Sequence, residues 1–226
     1  MRLLGRSYAA FLFDMDGTLI NSIASANQVW TQWANRHGLE PRSVLRIMHG
    51  VRAVDTIRQL NVPGIDVERE ADLLTQAEIA ATEGIVAIKG AQTLLRSLPA
   101  DRWAVVTSAP RELATRRLEV TGIPRPRVLV TAEDVTRGKP APDAFLLAAR
   151  RLDVEARQCL AWEDTQAGAS AAEAAGADVI VISATHHEPL QIRHPVVVDY
   201  DGMTATVDGH GMLVLNSSAS ALPAGR

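Results

Sequence analysis

The chain has 226 residues, enough for one large domain or for a domain that carries a substantial insertion. Hydrophobic residues make up 47% of it and charged residues 22%, the balance of an ordinary globular protein. A net charge of -3 provides no basic field and argues against nucleic acid as a partner, and a single cysteine, Cys159, excludes an internal disulfide.

The N-terminus holds two arginines and only a broken apolar run before Asp14, unlike a secretory signal. No uninterrupted apolar stretch is long enough to span a bilayer, so the expectation is a cytoplasmic enzyme. Residues 9–13 read as a buried strand of a parallel sheet that ends abruptly at Asp14-Met15-Asp16-Gly17-Thr18. Periodicity then predicts helices over 23–37, 41–49, 54–60 and 66–82. Pro41 is placed in a first turn and Asp66 as an N-cap. No good strand falls between about 22 and 88, which suggests an inserted helical subdomain, with the core formed by 1–21 and 89–226.

Alternation resumes at Gly90. Helices are expected over 91–98, 110–120, 142–152 and 167–175, and strands over 103–107, 127–130, 159–163, 178–182 and 196–198. Such β-α repetition implies a parallel sheet with right-handed crossovers. Residues 204–207 and 212–215 flank Asp208-Gly209, a hairpin signal, and the Ser/Ala-rich tail from Asn216 is expected to fray. Cys159 lies in an apolar run and reads as core packing.

Four groups in order carry the chemistry. Asp14 and Asp16 flank a bend at Gly17 and offer a hard cation two carboxylates, or a phosphoryl group a nucleophile. Thr107-Ser108-Ala109 ends a strand before a helix and offers hydroxyls and N–H groups to phosphate oxygens. Lys139 sits between Gly138 and Pro140 in a proline-fixed turn, where it can offset charge. Glu163-Asp164 ends a further apolar strand and can complete a magnesium shell. Taken singly, the second group is an ordinary helix cap and the third an exposed loop lysine; their order and spacing give them weight.

The set resembles the haloacid dehalogenase-like hydrolase superfamily over nearly the whole chain, with its D-x-D-G-T, Thr/Ser, Lys and E-D motifs. The resemblance implies an α/β fold: a Rossmann-like parallel-sheet core with an inserted helical cap of the C1 type. It implies Asp14 as nucleophile and Asp16 as general acid and then base. It implies Mg2+ held by Asp14, Asp164 and the Asp16 backbone carbonyl, with Glu163 in support. Thr107 and the Ser108 N–H would bind phosphate, a shift of one residue would bring in Ala109, and Lys139 would balance the charge. Asp16 counts against the dehalogenase branch, where no alkoxide leaving group needs a proton.

The segment from His49 to Asp55 is similar to the H-G-x-R-x-x-D stretch of sugar-phosphate and glycerol-phosphate phosphatases, including the 2-deoxyglucose-6-phosphatase type. Arg52 is then a candidate for substrate phosphate or hydroxyls from the lid, and His49 for a hydroxyl. The implied activity is a Mg2+-dependent phosphatase that acts on small phosphorylated sugars or polyols through an aspartyl-phosphate; a monomer is the default expectation, since the sequence does not show oligomeric state. A phosphosugar mutase of the β-phosphoglucomutase type shares all four motifs, and a non-catalytic phosphometabolite sensor is the alternative from another class. His186 and His187 are expected in a loop and not on a metal.

Overall fold

The computed structural model describes residues 5–186, 188 and 191–217. The first elements are β1 (Ser7–Tyr8), β2 (Ala10–Phe13) and β3 (Ile20–Asn21), followed by helices α1 (Ile23–Arg36), α2 (Pro41–Met48), α3 (Ala53–Leu60) and α4 (Val67–Ala80). The chain then runs through β4 (Val86–Ala87), α5 (Ala91–Ser97), β5 (Trp103–Val106), α6 (Arg111–Thr121), β6 (Val128–Val130) and α7 (Asp143–Arg151). It closes with β7 (Cys159–Glu163), α8 (Gln166–Ala174), β8 (Asp178–Ile182), β9 (Val196–Val197), β10 (Met203–Val207) and β11 (Leu213–Ser217).

Six parallel strands form the main sheet in the order β6-β5-β2-β7-β8-β9. The chain therefore starts this sheet in the middle, builds outward to one side and returns to build the other. That order leaves a crevice beyond the carboxyl ends of β2 and β7, where open α/β sheets place ligands. Alternation along the strands sorts the two faces by size. Phe11, Phe13, Trp103, Val105 and Trp162 pack on one side with α5, α6 and the sheet of β10 and β11. Ala10, Leu12, Ala104, Val106 and Ala161 pack on the other against α7 and α8. The ring of Phe13 stacks on Trp162 with centroids 5.8 Å apart, which fixes the two central strands from the side.

Helices α1 to α4 bury their own apolar cluster, including Trp30, Trp33, Val44, Ile57 and Leu74. Their local signals act as expected: Pro41 opens α2, and the Asp66 carboxylate accepts from the Arg69 N–H to cap α4. The helical insertion thus packs as a unit of its own. One expectation needs correction. Val86–Ala87, inside the stretch read as strand-free, pairs antiparallel with Ile20–Asn21, so a two-stranded ribbon carries the chain out of the core and back. Runs of two residues show no alternation that a reader of sequence could find.

The C-terminal hairpin also differs in detail. Its loop spans 208–212, and the Asp208 carboxylate accepts from the N–H groups of both His210 and Met212. Asn216 and Ser217 do not fray but pair with Thr204 and Met203, and β1 adds a third strand on the other edge of β11. The tail beyond Ser217, and His187, lie outside the described residues.

Candidate active site

Register brings the site together. Phe13 pairs with Trp162, so the residues that follow, Asp14 and Glu163, leave adjacent strands side by side. The Asp14 N–H still donates to the Trp162 carbonyl at 2.9 Å, and the backbone turns away only after it. The turn needs Gly17, whose φ is +86°; a Cβ there would stand 1.9 Å from Asp164 Oδ2. From the other side, Thr18 Oγ1 lies 3.4 Å from Asp164 Oδ1 and donates to it.

Lys139 is the hub of this cluster. Its ammonium donates to Asp14 Oδ1 at 2.6 Å, to Glu163 Oε1 at 2.5 Å and to the Val106 carbonyl at 3.1 Å, with a side chain only 1% exposed. Burial opposes its charge, but the two carboxylates outweigh that and hold it above the ordinary lysine pKa. The second Glu163 oxygen accepts from the N–H of Asp164 and from Thr165 at the start of α8. Glu163 is thereby a brace between the lysine and a helix start.

Burial raises the pKa of Asp14, Glu163 and Asp164, each only in part offset by a cation beside it. Ligand oxygens of these three buried acids all lie within 4.8 Å of one another. Three carboxylates against one ammonium leave excess negative charge in a dry site, and an all-oxygen donor set of this kind suits a hard divalent cation. The residues fit such an ion.

Asp16 faces a different way. Its Oδ1 accepts from Ser22 Oγ at 2.5 Å and from Arg117 at 2.9 Å, and its carboxylate lines a cavity of about 70 Å³ between core and helical insertion. Asp14, Thr107, Ser108, Ala109 and His49 line the same cavity. Thr107 Oγ1 accepts from the Ala109 N–H at 3.0 Å, and Ser108 Oγ donates to the Gly50 carbonyl of the insertion at 2.9 Å. Arg52 is placed otherwise: it is absent from the cavity wall, donates to Asp55 and to the Val135 carbonyl, and packs against Gly138. It fastens the insertion to the loop that carries Lys139.

Two nearby residues, Arg117 and Glu78, have no signal in the sequence motifs, and a third, His186, lies closer to the acids than a plain loop residue would. Arg117 bridges Asp16 to Glu78 of α4 while nearly buried itself. Its signal was a charge at the Leu113, Arg117, Thr121 spacing, the stripe that buries α6. Glu78 has the same character on α4. His186, in the expected loop, brings Nε2 to 3.7 Å from Asp164 Oδ2.

The haloacid dehalogenase-like hydrolase family profile matches residues 8–176, about three quarters of the chain. The chain belongs to the haloacid dehalogenase-like hydrolases. This hydrolase is 42% identical over 210 residues to hexitol phosphatase A of Escherichia coli K12, covering 91% of this chain and 97% of that protein. It is 32% identical over 187 residues to glycerol-1-phosphate phosphohydrolase 2 of Saccharomyces cerevisiae, covering 78% of this chain and 75% of that one. Among solved structures, a hydrolase from Pseudomonas syringae superposes with a TM-score of 0.72 at 26% identity, over 80% of this chain and 87% of its own. The parallel core and the helical subdomain are thus the family's architecture. Among the described residues, no helix is long and apolar enough to cross a membrane.

Proposed function

We propose that this hydrolase releases phosphate from small phosphorylated sugars or polyols, through an aspartyl-phosphate on Asp14 and with Mg2+ in the acidic cluster. That it is a phosphoric monoester hydrolase follows from its family and its phosphatase relatives. The substrate class rests on those relatives' names, a hexitol phosphatase and a glycerol-1-phosphate phosphohydrolase, and on the cavity's mixed lining. In this reading residues 22–88 are the cap over a core of 1–21 and 89–226, and the enzyme acts as a cytoplasmic monomer.

One observation carries the mechanism: Asp14 and Asp16 reach one cavity, each with its Oδ1 held and its Oδ2 free of hydrogen bonds to the described residues. Asp14 Oδ2 attacks phosphorus and the bond to the leaving oxygen breaks. Asp16 gives that oxygen a proton. It then takes one from water, which attacks phosphorus and frees Asp14. Thr107 and Ser108 hold phosphate oxygens at the head of α6. Asp14, Asp164 and the Asp16 carbonyl, with Glu163 in support, would hold Mg2+, which would supply positive charge to ease the approach of two anions. Closing the insertion over the cavity keeps water away while the acyl phosphate forms.

Phosphate release should be measured across phosphorylated metabolites with and without Mg2+, for the wild type and Asp14→Asn. Turnover of hexose, pentose or glycerol monophosphates, lost in the variant, is expected. Strong preference for nucleotides would overturn the substrate class, and dependence on a sugar bisphosphate with little free phosphate would make the enzyme a mutase.

A further inference from the structure

Away from Asp14 the cavity wall is mostly apolar, with Ile23, Trp30, Met48, Val51 and Leu113. One charged bridge crosses it. Arg117 on core helix α6 donates through one guanidinium nitrogen to Asp16 Oδ1 at 2.9 Å and through another to Glu78 Oε1 at 3.0 Å, on helix α4 of the insertion. Both side chains are buried, at 4% and 9% exposure, and both line the cavity. Among the described residues the second Glu78 oxygen accepts no hydrogen bond, and Arg117 Nε is buried with no partner.

Charge decides what this end of the cavity can receive. One guanidinium is shared between two carboxyl groups, and burial holds the His49 imidazole toward its neutral form, so this end of the cavity offers an incoming anion no free positive charge. Arg117 is already shared between Asp16 and Glu78 and has no charge to spare for an acidic ligand. A carboxylate on the ligand would find no free cation there and would face the acceptor oxygens of Glu78, whereas a hydroxyl can donate to the unpaired Glu78 oxygen.

We propose that Glu78 is a specificity-determining residue: it accepts a hydrogen bond from a leaving-group hydroxyl and selects phosphomonoesters of uncharged polyols over those whose leaving group carries a carboxylate. The assignment rests on the phosphatase reading above and narrows its substrate class. Because Glu78 belongs to the insertion, the contact exists only when that unit lies over the core. Selection and closure are then one event.

The test compares sorbitol 6-phosphate, 6-phosphogluconate and p-nitrophenyl phosphate on the wild type, Glu78→Gln and Glu78→Asp. The wild type should favour sorbitol 6-phosphate over 6-phosphogluconate by about tenfold or more in kcat/KM. Glu78→Gln should lower kcat/KM for sorbitol 6-phosphate by about tenfold to a hundredfold, chiefly through KM, and raise it for 6-phosphogluconate. Its loss on p-nitrophenyl phosphate, which has no hydroxyl to offer, should be far smaller. Glu78→Asp keeps the charge and should keep rejecting 6-phosphogluconate. Equal losses on all three substrates, or an unaltered preference, would overturn the assignment while leaving the phosphatase reading intact. A wild type inert on every phosphomonoester would sink that reading first, and this one with it.

Discussion

A methyl group on Gly17 would stand 1.9 Å from Asp164 Oδ2. The turn after the first core strand and the acid after the fourth are therefore packed against each other with no room for a side chain. Gly17→Ala must push Asp164 aside and hold a left-handed φ of +86°, which costs an L-residue about 1–2 kcal/mol. The variant should fold with a lowered melting temperature and lose about a hundredfold in kcat/KM, the scale of loss that a misplacement of about 1 Å in a site can cause. Near wild-type turnover in Gly17→Ala would show that Asp164 is not needed where it stands.

Lys139→Met tests the hub. Removing the ammonium leaves Asp14 and Glu163 buried with their main counter-charge gone. Breaking a buried pair from one side costs about 3–5 kcal/mol. Chemical denaturation should show a loss that grows with pH, approaching that size above about pH 8 and smaller in neutral and acid solution, where the carboxyl groups take up protons. A loss that does not change with pH would mean that the acids do not rely on the lysine.

The acidic cluster also sets a pH dependence for metal binding. Burial raises Asp14 to about 7 and Asp164 to about 6, both above the ordinary 3.8. Between those limits the folded, metal-free protein holds protons that the unfolded chain has released, so stability falls as pH rises through the window, and the cost is complete above about 7. A divalent ion needs the deprotonated acids and releases those protons. The rise in melting temperature on adding Mg2+ should therefore be larger near about pH 8 than near about pH 5.5. Equal shifts at both, or a larger one in acid, would contradict the placement of the ion.

Gly50 tests the seating of the helical insertion. It has a φ of +74°, and a Cβ there would lie 2.5 Å from Thr165 Oγ1, the side chain that caps α8. Its carbonyl also accepts from Ser108. Gly50→Ala should prop the insertion open and raise KM about tenfold or more, with a modest loss of stability. Unchanged KM would mean that the enzyme works without this close approach.

What could be read in advance was whatever the chain repeats or ends abruptly. Residues 9–13 are apolar throughout and stop at an acid, so β2 and the place of Asp14 were legible, and the same pattern exposed Glu163 and Asp164. Lys139 was legible only through its company, since a lysine between Gly and Pro looks like any exposed loop residue. Arg117 and Glu78 were not found because their meaning lies in the docking of α6 on α4, elements far apart in sequence, and neither helix announces that contact. Arg52 shows the converse: its motif was found, but its side chain serves Asp55 and the Val135 carbonyl. The β3–β4 ribbon was too short for any periodic signal.

Whether Asp14 carries the phosphoryl group is decided by acid quenching of the enzyme during turnover, followed by mass spectrometry of its peptides. One added phosphoryl group is expected on the peptide that contains Asp14, formed with Mg2+ and substrate and missing from Asp14→Asn. A phosphoryl group on another residue, or phosphate release by Asp14→Asn at the wild-type rate, would contradict that role for Asp14.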